Sequence, residues 1–142
     1  NKKLNRLIKD EFGKDDGNYS LIHADFVPEN LLDDDGVLKL IDFDDCGYGW
    51  HMFELATALY FTIDQSHHAD ITAALIAGYR TRRPLPRDHE VLLPMFLFLR
   101  GTTYLGWIRS RPETETAKTM GPMLIERVCT LARRYLETRA AR

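Results

Sequence analysis

Cysteine is scarce in this chain of 142 residues, with two, Cys46 and Cys129. They lie far apart and lack metal-ligand spacing, which excludes a cysteine-built metal site and predicts reduced thiols in a cytoplasmic protein. Excess charge of either sign is also missing. A net charge of −2 gives no electrostatic case for a nucleic acid or an anionic membrane surface as partner. Long hydrophobic runs are absent: the most apolar stretch, Val91 to Leu99 with Ile108 as its outer limit, contains Pro94 and Arg100 and is too short to span a bilayer. No signal peptide is read at Asn1, and no internal repeat or low-complexity tract occurs. The acidic run Asp33-Asp34-Asp35-Gly36 lacks the alternating ligands and terminal Glu of a calcium loop. What remains is one domain, residues 1–142, with 44% hydrophobic and 28% charged residues, large enough for a sizeable core.

The stretch around which the chain is organised runs from Leu21 to Asp45. One acidic cluster, His23-Ala24-Asp25-Phe26-Val27-Pro28-Glu29-Asn30, precedes Leu31-Leu32; a second, Ile41-Asp42-Phe43-Asp44-Asp45, follows Val37-Leu38-Lys39-Leu40. The Asp run closed by Gly36 between two apolar segments predicts a tight hairpin. Folding it brings Asp42 back beside Asn30, with Asp25 one loop away. Three oxygen-bearing side chains then converge at one sheet edge. Mg²⁺ prefers oxygen ligands and often takes only one or two from the protein, the rest coming from phosphates and water. Asn30 and Asp42 suit that role, and Asp25 is free to accept a proton from an attacking hydroxyl or to orient it. His23 is expected to brace the loop by hydrogen bonding.

The spacing of Asp25, Asn30 and Asp42 resembles the H-R-D-x-x-x-x-N and D-F-G elements of protein kinases. It departs in having Val27 two residues after the Asp, Asp44 in place of the D-F-G glycine, and no A-P-E. Those departures match the aminoglycoside phosphotransferase and choline kinase superfamily. Ile41-Asp42-Phe43-Asp44-Asp45 with Gly47-Tyr48-Gly49 and Phe53-Glu54-Leu55-Ala56 looks closest to its homoserine kinase-like or hydroxylysine kinase-like branch. The resemblance implies an α+β fold, the mostly helical C-terminal lobe of a kinase-like protein with a small β-hairpin carrying the catalytic and metal-binding loops. It also implies ATP as phosphoryl donor, Mg²⁺ as cofactor, Asp25 as catalytic residue, Asn30 and Asp42 as metal ligands, and a small-molecule hydroxyl on an amine, amino acid or aminoglycoside-like acceptor. Such a chain leaves no room before residue 21 for the glycine-rich loop, its Lys and its Glu. The expectation is therefore a fragment that lacks its N-terminal nucleotide lobe, is inactive alone and is open to self-association. The alternative is a non-catalytic kinase-like binding or assembly module.

Four further residues carry two readings each. Asp44 and Asp45 either assist metal or substrate binding or cap the following loop. Glu54 either meets a substrate amine or interacts with its helix N-terminus. Arg100 either lines a substrate pocket with Tyr60, Tyr104 and Trp107, gripping a substrate carboxylate, or belongs with them to the core.

Apolar periodicity predicts a helix from Asn1 to Phe12 ended by Gly13, a strand over Tyr19 to Ile22, and helices over 50–63, 66–82, 88–109 and 120–139. Ser66 is a candidate N-cap. Pro94 should kink its helix or mark the true first turn. Leu92, Met95, Phe96, Leu99, Thr103 and Trp107 are expected to fill the interior, and Leu124, Val128, Leu131 and Leu136 to face it. Glu113 to Thr119 reads as a linker.

Overall fold

The computed structural model describes residues 17–140; the expected helix over Asn1 to Phe12 and the Gly13 that ends it lie outside them. Two small antiparallel sheets come first. β1 (Tyr19–Ile22) pairs with β4 (Gly47–Trp50), Tyr19 opposite Trp50. β2 (Leu31–Asp34) pairs with β3 (Val37–Leu40), Leu31 opposite Leu40. The β2–β3 turn is only Asp35-Gly36, with φ of 51° and 83°. Positive φ at both central residues is what a two-residue hairpin needs to follow the strand twist, and Asp33 Oδ1 accepts the Gly36 N–H at 2.8 Å. β4 was not expected. The glycines of Cys46-Gly47-Tyr48-Gly49 imply a sharp path and close backbone approach, and β4 closes the loop system by pairing with a strand nearly thirty residues earlier. Gly49 is needed there: a Cβ would sit 2.4 Å from Ile22 Cδ1.

Five helices follow: α1 (His51–Leu59), α2 (His68–Arg80), α3 (Arg87–Glu90), α4 (Leu93–Ser110) and α5 (Glu115–Ala140). The element expected over 88–109 is split, and Pro94 lies in the first turn of α4, where its missing N–H costs nothing. Ser66 is not the cap of α2; His67 occupies that position without a side-chain cap bond. The linker is shorter than expected because α5 starts at Glu115 and carries Pro122 in its interior.

The core joins α1, α4 and α5. Met52, Leu59, Tyr60 and Phe96 are fully buried, with Leu99, Leu124, Val128 and Leu131 around them. Two expected core residues are not in it: Trp107 is 39% exposed and Leu136 64% exposed. Both fall where the apolar stripe of a helix outruns its partner. Gly101 lets α4 approach its neighbours, since a Cβ there would lie 2.6 Å from Val128 Cγ2 and 2.9 Å from Tyr60 Oη. Gly106 has no such reason, with nothing within 4 Å. Burial pushes the Tyr60 phenol up to about 12, the Arg127 charge opposing. Among the described residues, no helix is long and apolar enough to cross a membrane.

Candidate functional site

The segment between β1 and β2 is held open against local preference. Ala24 has φ 65°, a left-handed conformation that costs a non-glycine residue roughly 1–2 kcal/mol. Side chains from distant elements hold it there. Glu54, in the first turns of α1, accepts the His23 N–H at 2.8 Å through Oε1 and the Ala24 N–H at 2.9 Å through Oε2. Arg100, in α4, donates through Nη1 to the Ala24 carbonyl at 3.1 Å. Burial raises the Glu54 pKa above its ordinary value of 4.5, while the two amide bonds and the charges of His23 and Arg100 pull the other way.

Asp25 comes next and is gripped on both oxygens. Arg100 Nη2 meets Oδ1 at 2.6 Å, and Asn30 Nδ2 lies 3.2 Å from Oδ2 and 2.9 Å from the Asp25 carbonyl. Asn30 is buried at the end of a 3₁₀ turn, Pro28–Asn30, and its Oδ1 makes no hydrogen bond among the described residues. The Ile41 N–H donates to the Asn30 carbonyl at 3.0 Å, continuing the hairpin register and setting Asp42 just beyond. Asp42 is exposed and has φ 63°, a second left-handed non-glycine residue in the loop system. His23 ties the two halves together. Its Nε2 lies 2.9 Å from the Ile41 carbonyl and its ring stands edge-on to Phe43 at 4.8 Å. Since a carbonyl can only accept, Nε2 carries the proton, and Nδ1 is left buried without a partner.

The remaining candidates separate. A cavity of 380 Å³ is lined by Asp25, Asp45, Arg100, Tyr104, Trp107 and Phe61, with Ile108, Met120 and Leu124 as its apolar side. Asp45 is in that wall; Asp44, beside it in the same exposed turn, is not. Arg100 is not free to take a substrate carboxylate in two-pronged fashion. Its amino groups serve Asp25, the Ala24 carbonyl and the Tyr104 hydroxyl (2.8 Å), and its guanidinium stacks over Tyr104 at 4.2 Å. Glu54 likewise faces backbone amides rather than a substrate amine. Apart from Tyr104, one turn along α4 from Arg100, these partners are 30 to 76 residues away in sequence, so no local pattern marks them. Phe61 was also missed, although Arg100, Tyr104 and Trp107 at helical spacing mark the wall of the cavity they form. A more open hollow of 580 Å³ beyond β1, lined by His51 and Arg83 among others, contains none of Asp25, Asn30 and Asp42. Among the described residues, no three His, Cys, Asp or Glu side chains are grouped to hold a metal ion.

A mostly helical lobe with a hairpin that sets an Asp, an Asn and a second Asp on adjoining loops is the C-terminal-lobe arrangement of kinase-like proteins. The chain belongs to the phosphotransferase enzyme family, whose sequence profile matches residues 3–91. A homoserine kinase of Chelativorans sp. (strain BNC1) is 39% identical over 79 residues, 53% of this chain and 24% of that protein. The structure of a microcompartment-associated aminopropanol kinase superposes with a TM-score of 0.83 at 35% identity, covering 99% of this chain and 45% of the other. An amicoumacin kinase solved with AMP-PNP, Ca²⁺ and Ami superposes with a TM-score of 0.69 at 24% identity, a likeness of fold. The chain spans a quarter to two fifths of the length of the curated kinases it matches.

Proposed function

We propose that this chain is the acceptor-side lobe of an ATP- and Mg²⁺-dependent small-molecule kinase that phosphorylates a hydroxyl. The observation that carries the reading is the bonded continuity of its three groups: Asn30 hydrogen-bonds Asp25 through its side chain and holds Ile41, next to Asp42, through its backbone. Asp25 takes the proton of the attacking hydroxyl. Arg100 fixes one carboxylate oxygen at 2.6 Å, and the longer Asn30 contact at 3.2 Å leaves the other available to the acceptor. Asn30 Oδ1 and the Asp42 carboxylate are hard oxygen donors, too few to enclose a cation alone, which fits Mg²⁺ shared with nucleotide phosphates. Bound there, the ion neutralises charge on the transferring group. Positioning does much of the rest, and the Glu54–Ala24–Arg100 bonding supplies it.

The nucleotide lobe belongs, in this reading, to sequence outside the chain. Leu32, Leu38, Ile41 and Phe43 on and beside the hairpin are 41–68% exposed, an apolar surface suited to a covering domain. The same surface offers the isolated chain a route to self-association.

The test is ADP release. A protein extended upstream by roughly one more domain, on the order of 100–200 residues, should release ADP only when an acceptor alcohol is present. The 142-residue chain alone should release none. Acceptor-independent release, or none from the longer protein with any acceptor, would overturn the proposal in favour of a binding module.

A further inference from the structure

We infer that the hollow beyond β1 is a second binding site, for the phosphate group of a small phosphomonoester. It shares none of Asp25, Asn30 and Asp42, and its character is cationic. Arg82 and Arg83, just past the C-terminus of α2, both line it. Neither has a carboxylate partner among the described residues, whereas the neighbouring Arg80 is paired with Glu90 at 2.7 Å. Arg83 is held in place by neutral groups. Its guanidinium bonds the Tyr79 hydroxyl, and its Nη1 lies 2.6 Å from Nε2 of the buried His51. A guanidinium can only donate, so that Nε2 accepts. His51 Nδ1, 3.2 Å from the Gly17 carbonyl, carries the ring proton. These bonds orient Arg83 and leave its charge uncompensated.

The one carboxylate among the hollow's described lining residues is Glu54, and each of its oxygens is taken by a backbone N–H, at 2.8 and 2.9 Å. A phosphomonoester dianion matches two guanidiniums in charge, and its oxygens suit their N–H forks. A carboxylate or a sulfate monoester brings one charge only. The helix dipole favours cations beyond the C-terminus of α2, which accounts for their place in the sequence. It does not account for two unpaired guanidiniums in the wall of one hollow. Leu21, Leu40 and Phe43 give that hollow an apolar side for the carbon chain of an ester, and 580 Å³ holds a small molecule. His23 and Glu54 belong to the same wall, so a ligand here meets the residues that set the position of the Asp25 loop.

Cys46, exposed in the same wall, reports occupancy; the chain's other thiol, Cys129, is exposed on α5 outside it. Alkylation of Cys46 by neutral iodoacetamide should be followed in the Cys129→Ser variant of the 142-residue chain, and that of Cys129 in the Cys46→Ser variant. The probes are propyl phosphate, propyl sulfate and butyrate. Propyl phosphate should slow the Cys46 reaction at concentrations at least about tenfold lower than either monoanion needs, and leave Cys129 unaffected. Arg82→Gln should raise the concentration required at least about tenfold, the scale of losing one hydrogen bond to a charged group. Arg82 is exposed and has no bonded partner among the described residues, so that variant should fold as the wild type does. No protection of Cys46, equal protection of the two thiols, equal protection by the monoanions, or undiminished protection in Arg82→Gln would overturn the inference. The same protection is expected in the two-lobe protein; its loss there would mean that the covering domain fills the hollow, and would also overturn it. Neither nucleotide nor acceptor alcohol enters these titrations, so the kinase reading is decided separately.

Discussion

Replacing Asp25 with Asn in the two-lobe protein should lower kcat by at least ~100-fold, the scale of losing a positioned acid–base group. Asn keeps the shape and can still accept from Arg100, but its amide nitrogen then faces the Asn30 amide nitrogen and the buried Arg100 loses its counter-charge, so some loss of stability accompanies the loss of rate. What is lost is the basic oxygen that accepts the hydroxyl proton. Asp42→Asn should be comparably damaging for a different reason. Its side chain is exposed and makes no hydrogen bond among the described residues, so the fold does not depend on its charge. The expected loss is in metal-dependent turnover, with the thermal midpoint unchanged, and excess Mg²⁺ should recover part of it. Initial rates across a magnesium series, beside a melting curve for each variant, separate the two effects. Near wild-type turnover in either variant would remove that residue from the mechanism.

Glu54→Ala should cost about 2–6 kcal/mol of stability, because two loop N–H groups lose their acceptor at roughly 1–3 kcal/mol each. Ala24 is then held left-handed by the Arg100 bond alone, and Asp25 should shift with it. The isosteric Glu54→Gln isolates the charge. Burial raises the Glu54 pKa above 4.5, so the folded state holds this proton more tightly than the unfolded chain does. The group's contribution is therefore fully present below pH 4.5 and is lost as pH rises through the folded value. Denaturation midpoints from about pH 4 to about pH 7 should show the wild type losing stability relative to Glu54→Gln as pH rises. A relative gain with rising pH would mean that the two amide bonds, not burial, dominate this carboxylate.

The hairpin and its two flanking acidic clusters were legible because their cause is local. Asp35-Gly36 fixes the turn, the turn fixes the register, and the register places Ile41 against Asn30. The helices were legible through periodicity, their ends less so: Pro94 opens α4, one of the two outcomes expected of it, but Ser66 lies one residue too early to cap α2. What the sequence did not reveal depends on long-range partners. β4 pairs with a strand far upstream, and nothing in Gly-Tyr-Gly-Trp announces an edge. Glu54 and Arg100 each carried two readings, substrate-facing or structural, because sequence alone does not show what a charged residue beside a site meets. Their observed partners are backbone groups and Asp25, reached only once α1 and α4 are packed. Trp107 carried two readings on helical spacing, core or pocket wall, and the hollow between α4 and α5 decides for the wall.

The most direct measurement is the ³¹P spectrum of the two-lobe protein incubated with ATP, Mg²⁺ and a panel of small alcohols, one at a time. A phosphomonoester signal growing in step with ADP, and absent without the alcohol, is the predicted result: the phosphoryl group leaves ATP for the acceptor oxygen as Asp25 takes the proton. Inorganic phosphate alone, or a phosphoramidate formed on an amine, would contradict the account.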